Sequence, residues 1–117
     1  MSIHKDHQYT AGVTQAVAIS NTVINMTDAG LLAIIQPTTG TWAGYSATMV
    51  WISCITSGLY YALGVDPTTS GTLGHPFNVM DFLELRNFSS IKALRFIRQG
   101  SADGAIMITP FFSDSGK

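Results

Sequence analysis

Charged residues are scarce in this chain of 117 residues. Lys, Arg, Asp and Glu make up 11% of it, less than half of the ~25% that is typical of soluble domains. Six basic and seven acidic residues leave a net charge of -1, so no strong field attracts nucleic acid or a membrane surface. The hydrophobic share of 46% argues against a disordered chain. A surface with so few charges is poorly protected against self-association, so we expect a partner to cover part of it and Ser, Thr, Asn and Gln to keep the rest soluble.

Long apolar runs and cysteine are scarce too. The longest uninterrupted apolar runs, such as residues 30–35, are far shorter than the ~20 residues of a membrane-spanning helix. Residues 1–8 contain no apolar segment of the kind that a signal peptide needs, so we expect neither a signal peptide nor a membrane partner. The single Cys54 excludes an intramolecular disulfide, and its apolar surroundings predict a buried thiol.

Motifs of catalysis and cofactor binding are absent from the sequence. It contains no P-loop, no dinucleotide fingerprint and no Gly-x-Ser-x-Gly. His4 and His7 lie three positions apart, but no cluster of Cys or carboxylates completes a metal site. His75 precedes Pro76, which favours an extended backbone and a role in holding a loop. We therefore predict that the protein is not an enzyme and has no cofactor and no metal.

What the chain does contain is a series of short β-rich runs separated by turn residues. About eight such runs, with a turn signal every ~8–12 residues, predict an all-β fold: an antiparallel β-sandwich, jelly-roll-like. Residues 1–12 are polar and show no periodicity, so they are predicted to form an extended N-terminal arm before a single domain over residues 13–117. The predicted strands are residues 16–19, 22–26, 31–35, 48–55, 59–63, 82–86, 93–98 and 105–109.

Several predicted strands are apolar on both faces. In residues 49–55 one face carries Met49 and Trp51, and the other carries Val50 and Ile52. A sandwich strand with one solvent-exposed face should instead alternate between apolar and polar residues. We expect another subunit to cover the second face, with Trp51 buried in the core or at an oligomer axis. The alternative is a central strand that a loop or the arm of the same chain covers.

Basic residues are unevenly distributed along the chain. None lies between Lys5 and Arg86, and then Arg86, Lys92, Arg95 and Arg98 follow within 13 positions. On a strand, Arg95 would face away from Lys92 and Arg98, so the cations cannot form one basic face, and we predict no nucleic-acid binding. Arg95 lies between two apolar residues and is the best candidate for a specific salt bridge or a contact between subunits. The alternative is solvated edge charge that blocks strand addition.

The C-terminal half resembles small virion proteins of tailed bacteriophages. The resemblance rests on a tyrosine-containing strand, a Pro-Thr loop with two glycines three positions apart, a Leu-Glu-Leu strand, a Leu-x-Phe-Ile strand and a closing Gly-Ala strand, in that order. Here these segments are residues 59–64, 66–77, 83–85, 94–98 and 104–109. The chain departs from the pattern at its end, where Phe111 and Phe112 replace a tyrosine pair and Pro110 is expected to interrupt the strand.

The resemblance implies a small β-sandwich that decorates or cements a bacteriophage capsid. It further implies a homotrimer that binds across major capsid protein subunits on the capsid exterior, after assembly in the host cytoplasm. The alternative is an oligomeric carbohydrate-binding or tail/fibre-associated β-sandwich module, in which exposed aromatic rings would stack on sugar. An aromatic residue in a concave site beside Asn or Asp would support sugar binding, and aromatic residues at a trimer axis would support the structural role. The candidate interface residues are Ile3, Tyr9, Trp42, Trp51, Arg86, Arg95 and Arg98.

The N-terminal arm is the other candidate contact. An extended segment of twelve residues reaches roughly 40 Å, so the arm could clamp a neighbouring subunit or the capsid protein by pairing with a strand edge. The alternative is a tail without a role.

Overall fold

Two antiparallel β-sheets pack face to face in the computed structural model, which describes residues 9–117. Within this range nine strands and two short α-helices occur, followed by a 3-10 turn at Asp114–Gly116. The elements are β1 (Thr10–Ala11), β2 (Gln15–Ile19), β3 (Ile24–Asn25), α1 (Ala29–Ile35), β4 (Met49–Ile55), β5 (Leu59–Leu63), β6 (His75–Phe77), β7 (Phe82–Arg86), α2 (Phe88–Ala93), β8 (Leu94–Arg98) and β9 (Gly104–Phe112).

The order of the strands is that of a jelly roll. The five-stranded sheet has the order β2-β9-β4-β7, and β1 pairs with the far end of β9 on the same side as β2. The four-stranded sheet has the order β3-β8-β5-β6. From β2 to β5 and from β6 to β9 the chain repeatedly crosses between the sheets, as in other double-sheet jelly rolls. The prediction of an all-β antiparallel sandwich is therefore confirmed.

The inward faces of both sheets form one apolar core. On β4 the even-numbered residues Val50, Ile52 and Cys54 are fully buried, because successive side chains of a strand point to opposite faces. The Cys54 thiol is buried as predicted, and its Sγ donates to the carbonyl oxygen of Ser57 at 3.3 Å. The core also contains Ile19, Met26, Leu59, Phe77, Ile91, Leu94, Phe96, Ile106, Ile108 and Phe112.

Residues 31–35 form most of helix α1, so the strand predicted there is wrong. A short unbroken apolar run fits either a buried strand or a buried helix, and its periodicity alone does not decide. The helix buries Leu31, Ile34 and Ile35, which have the spacing of one helical face. It begins after a turn in which an Asp28 carboxylate oxygen accepts the backbone N–H of Asn25 at 3.0 Å.

Helix α2 connects the two sheets and was not predicted. Asn87 precedes it with φ of +67°, and its side chain accepts the backbone N–H of Ser90 at 2.9 Å, which caps the helix. Because Lys92 lies on this helix, the expectation that it shares a strand face with Arg98 does not hold.

Strand β9 continues through Pro110, contrary to the expectation that proline interrupts it. Pro110 lies opposite Val50 of β4, and its carbonyl oxygen accepts the backbone N–H of Gly12 at 2.7 Å. The proline nitrogen therefore faces the gap between β1 and β2, where the ladder requires no donor.

The last residues of the predicted arm belong to the five-stranded sheet. Thr10 and Ala11 pair with Phe112 and Phe111 of the same chain. Residues 1–8, which include Ile3, lie outside the described residues, so the remaining arm stays a prediction.

Candidate interaction surface

The outward face of the five-stranded sheet carries large apolar side chains in contact with solvent. Trp51 of β4 is 42% exposed, Phe82 of β7 is 58% exposed and Met107 of β9 is 37% exposed. Phe82 and Met107 are the cross-strand partners of Ser53, which lies two residues after Trp51 on the same face of β4. We call this surface the outer face; it consists of Ala16, Ala18, Met49, Trp51, Ser53, Ile55, Phe82, Glu84, Arg86, Ala105, Met107, Thr109 and Phe111.

Trp51 is held in place on this face by three neighbours. Its indole N–H donates to Glu84 Oε1 at 2.9 Å, and its ring meets Phe111 and Phe82 edge to face, with centroids 4.6 and 5.8 Å away. Glu84 also accepts from Arg86 Nε at 3.1 Å. These hydrogen bonds, from Trp51 first and then Arg86, lower the pKa of the Glu84 carboxyl. Trp51 is thus not a core residue, and the expectation of burial within the fold is wrong for the single chain.

Met80 lies in a strained turn directly before β7, at the edge of the five-stranded sheet. Its backbone N–H donates to the Cys54 carbonyl at 3.0 Å, and the Cys54 N–H donates to Asp81 at 3.1 Å, so two residues oppose one. This is a β-bulge in which the first residue has φ of +80°, a position that normally takes glycine. The left-handed conformation costs a side-chain-bearing residue about 1–2 kcal/mol. The chain nevertheless places here a methionine that is 85% exposed.

The opposite surface of the sandwich is covered by the chain itself. The loop of residues 65–74 lies over the outward face of the four-stranded sheet and buries Pro67. It packs so tightly on Tyr60 that a Cβ at Gly71 would lie 2.6 Å from the Tyr60 hydroxyl. Arg95 Nη1 donates to Asp66 Oδ1 at 2.6 Å, which ties the start of the loop to β8. On the outer face of the five-stranded sheet, Met49 and Phe111 are buried, but Trp51, Phe82 and Met107 remain in contact with solvent.

The cations of β8 are paired within the chain. Arg95 binds Asp66, as the sequence suggested for a specific salt bridge, and Arg98 binds Asp103. The two arginines therefore do not combine with Arg86, which lies on the other sheet beside Glu84.

Trp42 does not belong to the outer face; it lies beside a cleft of about 440 Å³. The cleft runs between the segment from β1 to β2, helix α1 and the loop after it, and the residues that line it carry no charge. Trp42 stacks on Phe112 with centroids 5.2 Å apart and meets Tyr45 edge to face at 5.1 Å. Polar groups at the cleft come from Thr10, Gln15, Thr39 and Thr41.

The structure thus separates the predicted interface residues into groups. It brings Trp51 and Arg86 together through Glu84, and it places Trp42 at the cleft and Arg95 and Arg98 on the four-stranded sheet. Tyr9, 41% exposed, precedes β1.

Sequence reasoning missed Met80, Phe82 and Met107 as surface residues. The signal for Phe82 was available, because the alternation of residues 82–86 places it on the same face as Glu84 and Arg86.

Within residues 9–117, no group of three or more His, Cys, Asp or Glu side chains is arranged to hold a metal ion. None of the helices in that range is long and apolar enough to span a membrane. Comparisons with protein-family models, with curated proteins and with solved structures found no match to this chain.

Proposed function

We propose that this chain is a structural virion protein that decorates or cements a bacteriophage capsid. It acts as a homotrimer that binds across major capsid protein subunits on the capsid exterior. The observation that carries the proposal is the outer face, where Trp51, Phe82 and Met107 are solvent-exposed in a chain with only 11% charged residues. Apolar patches of this kind mark sites of protein association.

The fold supports the proposal by analogy. Jelly-roll sheets are used by viral capsid domains and by lectin domains, so the architecture fits both the structural and the sugar-binding interpretation. The order of the segments that resemble phage virion proteins favours the first of these. The loop of residues 65–74 covers the four-stranded sheet, whereas the outer face exposes Trp51, Phe82 and Met107. This difference supports an interaction with a partner on the outer face.

Electron microscopy of the virus particles from the source of this sequence tests the proposal. Antibodies raised against the purified protein and coupled to gold should label the heads of intact particles in a regular array. Particles of a strain that lacks the coding sequence are the control and should remain unlabelled. Label confined to tails or fibres, or no label on particles that contain the intact coding sequence, would contradict capsid decoration.

The homotrimer is tested separately by light scattering after gel filtration. The expected mass is about 38 kDa, three times the 12.6 kDa of the chain. A mass of one chain at micromolar concentration would contradict the trimer without bearing on the location in the particle.

The cleft beside Trp42 supports a second candidate function, the binding of a neutral sugar. An aromatic ring in an uncharged concave site with threonine hydroxyls suits a pyranose ring, although neither Asn nor Asp lines the cleft. Screening on a glycan array, followed by calorimetry on Thr41→Ala and Thr39→Ala variants, tests this candidate. Binding that these variants weaken would favour the sugar-binding function, and an array without signal would leave Trp42 as a packing residue.

A further inference from the structure

We infer that three copies of the chain form a triangular prism, with their outer faces directed to the threefold axis and β2 of each copy paired with β7 of the next. This inference rests on the proposed homotrimer and assigns its interface. It follows from the state of the sheet edges, the direction of the strands and the width of the five-stranded sheet.

The edges of the two sheets differ in how they are protected. In the four-stranded sheet the edge strand β3 has only two residues, and the edge strand β6 has three, one of which is Pro76. Short edge strands and proline are common means of preventing strand addition. In the five-stranded sheet β2 is a five-residue edge strand, Gln15–Ile19, without charge or proline. Such an edge is open to main-chain pairing.

The second edge of this sheet is β7, whose two charged residues, Glu84 and Arg86, are paired with each other. Its direction is the one that pairing with β2 requires. Successive pairs β2–β9, β9–β4 and β4–β7 are all antiparallel, so β2 and β7 run in opposite directions. A threefold axis parallel to the strands keeps these directions and brings β2 of one copy beside β7 of the next as an antiparallel pair. The exposed alanines Ala16 and Ala18 leave room for a close approach. Stacking two copies face to face would bury the same side chains but leave both edges unpaired.

The width of the sheet selects three copies. Four strands, spaced about 4.8 Å apart, form a side of about 19 Å. Three such sides place each sheet about 5.5 Å from the centre of the triangle, close to the ~5 Å that the side chains of one sheet fill when sheets stack ~10 Å apart. Four sides would place each sheet ~9.5 Å from the centre and leave an open channel.

The chemistry of the outer face is compatible with burial against two further copies. Its two charged groups, Glu84 and Arg86, pair with each other, and Glu84 also accepts from Trp51, so no unpaired carboxylate would enter the axis. Trp51, Phe82 and Met107 supply the volume that fills the interior. Met80, exposed at the end of the same strand pair, extends the contact beyond the sheet.

Disulfide trapping tests the edge pairing. Cysteine is placed at Ala16 or Ala18 together with Phe82 or Arg86, which gives four double variants that sample the register. Within one chain β2 and β7 are separated by two strands, about 14 Å, which is too far for a disulfide. Oxidation should therefore link chains into covalent dimers and closed trimers on a denaturing gel in at least one variant. Trimers by light scattering with no cross-link in any variant would overturn the edge pairing, and a mass of two chains would overturn the prism.

Two surface substitutions test the assignment of the outer face. Ala16→Lys puts a charge on the open edge, and Met80→Gly removes an exposed side chain from a backbone position that glycine prefers. Both should raise the dissociation constant of the trimer at least ~10-fold, and Met80→Gly should do so while raising the melting temperature. Leu73→Lys, at an exposed position in the loop of residues 65–74, is the control and should leave association unchanged. Equal association in all three variants would overturn the assignment, whereas the labelling of virus particles tests the proposed function independently.

Discussion

The indole N–H of Trp51 donates a hydrogen bond of 2.9 Å to the carboxylate of Glu84, its direct partner across the β4–β7 ladder. This bond fixes the orientation of a large apolar ring that the fold does not bury. It also satisfies the one polar group of the ring, so that the aromatic surface of Trp51 can meet an apolar partner without leaving a donor unpaired.

The first prediction concerns the pKa of Glu84. Replacing Trp51 by Phe keeps an aromatic ring but removes the donor that contributes most to the lowered pKa of Glu84. The pKa should therefore rise in Trp51→Phe, and it should also rise in Arg86→Gln, where a second hydrogen bond and a nearby positive charge are removed. Carboxyl chemical shifts followed by NMR during a pH titration measure both values. An unchanged pKa in Trp51→Phe would contradict the assigned cause.

The same bond makes part of the stability depend on pH. Because the pKa of Glu84 is lower in the folded chain, its contribution is present above the pKa of the unfolded chain and is lost as the pH falls through the folded value. The difference in unfolding midpoint between the wild type and Trp51→Phe should therefore narrow in acid. A constant difference would show that Trp51 acts through packing alone.

Most of the strands could be predicted from the sequence, because alternation and turn residues are local signals. Residues 49–55, 59–63 and 82–86 pair as strands close to their predicted bounds. The strand predicted at residues 31–35 is wrong. Five consecutive apolar residues show no periodicity that separates a strand from a helix, and packing with the rest of the chain decides between them.

The candidate surface was predictable only in part. Apolar residues on both faces of β4 indicated a second contact, and Trp51 is found there. Met80 could not be found, because its exposure follows from a bulge formed with Cys54, a residue distant in sequence. The separation of Arg95 from Arg86 depends on which sheet each strand joins, and this is set by long-range pairing.

The second prediction compares two glycines. Gly30 lies in helix α1, where an added Cβ would have no neighbour within 4 Å, so Gly30→Ala should raise the free energy of unfolding by about 0.5–1 kcal/mol. Gly104 begins β9, where a Cβ would lie 2.4 Å from the Ser57 carbonyl oxygen. Gly104→Ala should therefore lower the free energy of unfolding by about 1–3 kcal/mol. Urea denaturation measures both, and a loss of stability in Gly30→Ala would contradict the helix.

The third prediction concerns the loop that covers the four-stranded sheet. Asp66→Asn weakens the contact with Arg95 but leaves the packing on Tyr60, so global stability should change by less than about 1 kcal/mol. Exchange of backbone amides in residues 67–74 should nevertheless become faster, as followed by hydrogen–deuterium exchange. Asp103→Asn weakens the contact with Arg98 instead, and it should leave the exchange of this loop unchanged. Faster exchange in both variants would mean that the Asp66 contact does not specifically hold the loop.

The fourth prediction concerns Cys54 in alkaline solution. Burial, and to a smaller degree the negative charge of Asp81, raise the pKa of this thiol. The folded chain therefore disfavours the thiolate, and the stability that the neutral thiol provides is present below the pKa of the unfolded chain and lost as the pH rises through the folded value. Between about pH 7 and pH 10 the unfolding midpoint in urea should fall more in the wild type than in Cys54→Ala, since alanine does not titrate. Cys54→Ala itself should cost stability at neutral pH, because the removed sulfur leaves a small cavity between the sheets. Parallel curves for the two proteins over this pH range would show that the thiol is accessible to hydroxide in the folded chain, contrary to its burial in the core.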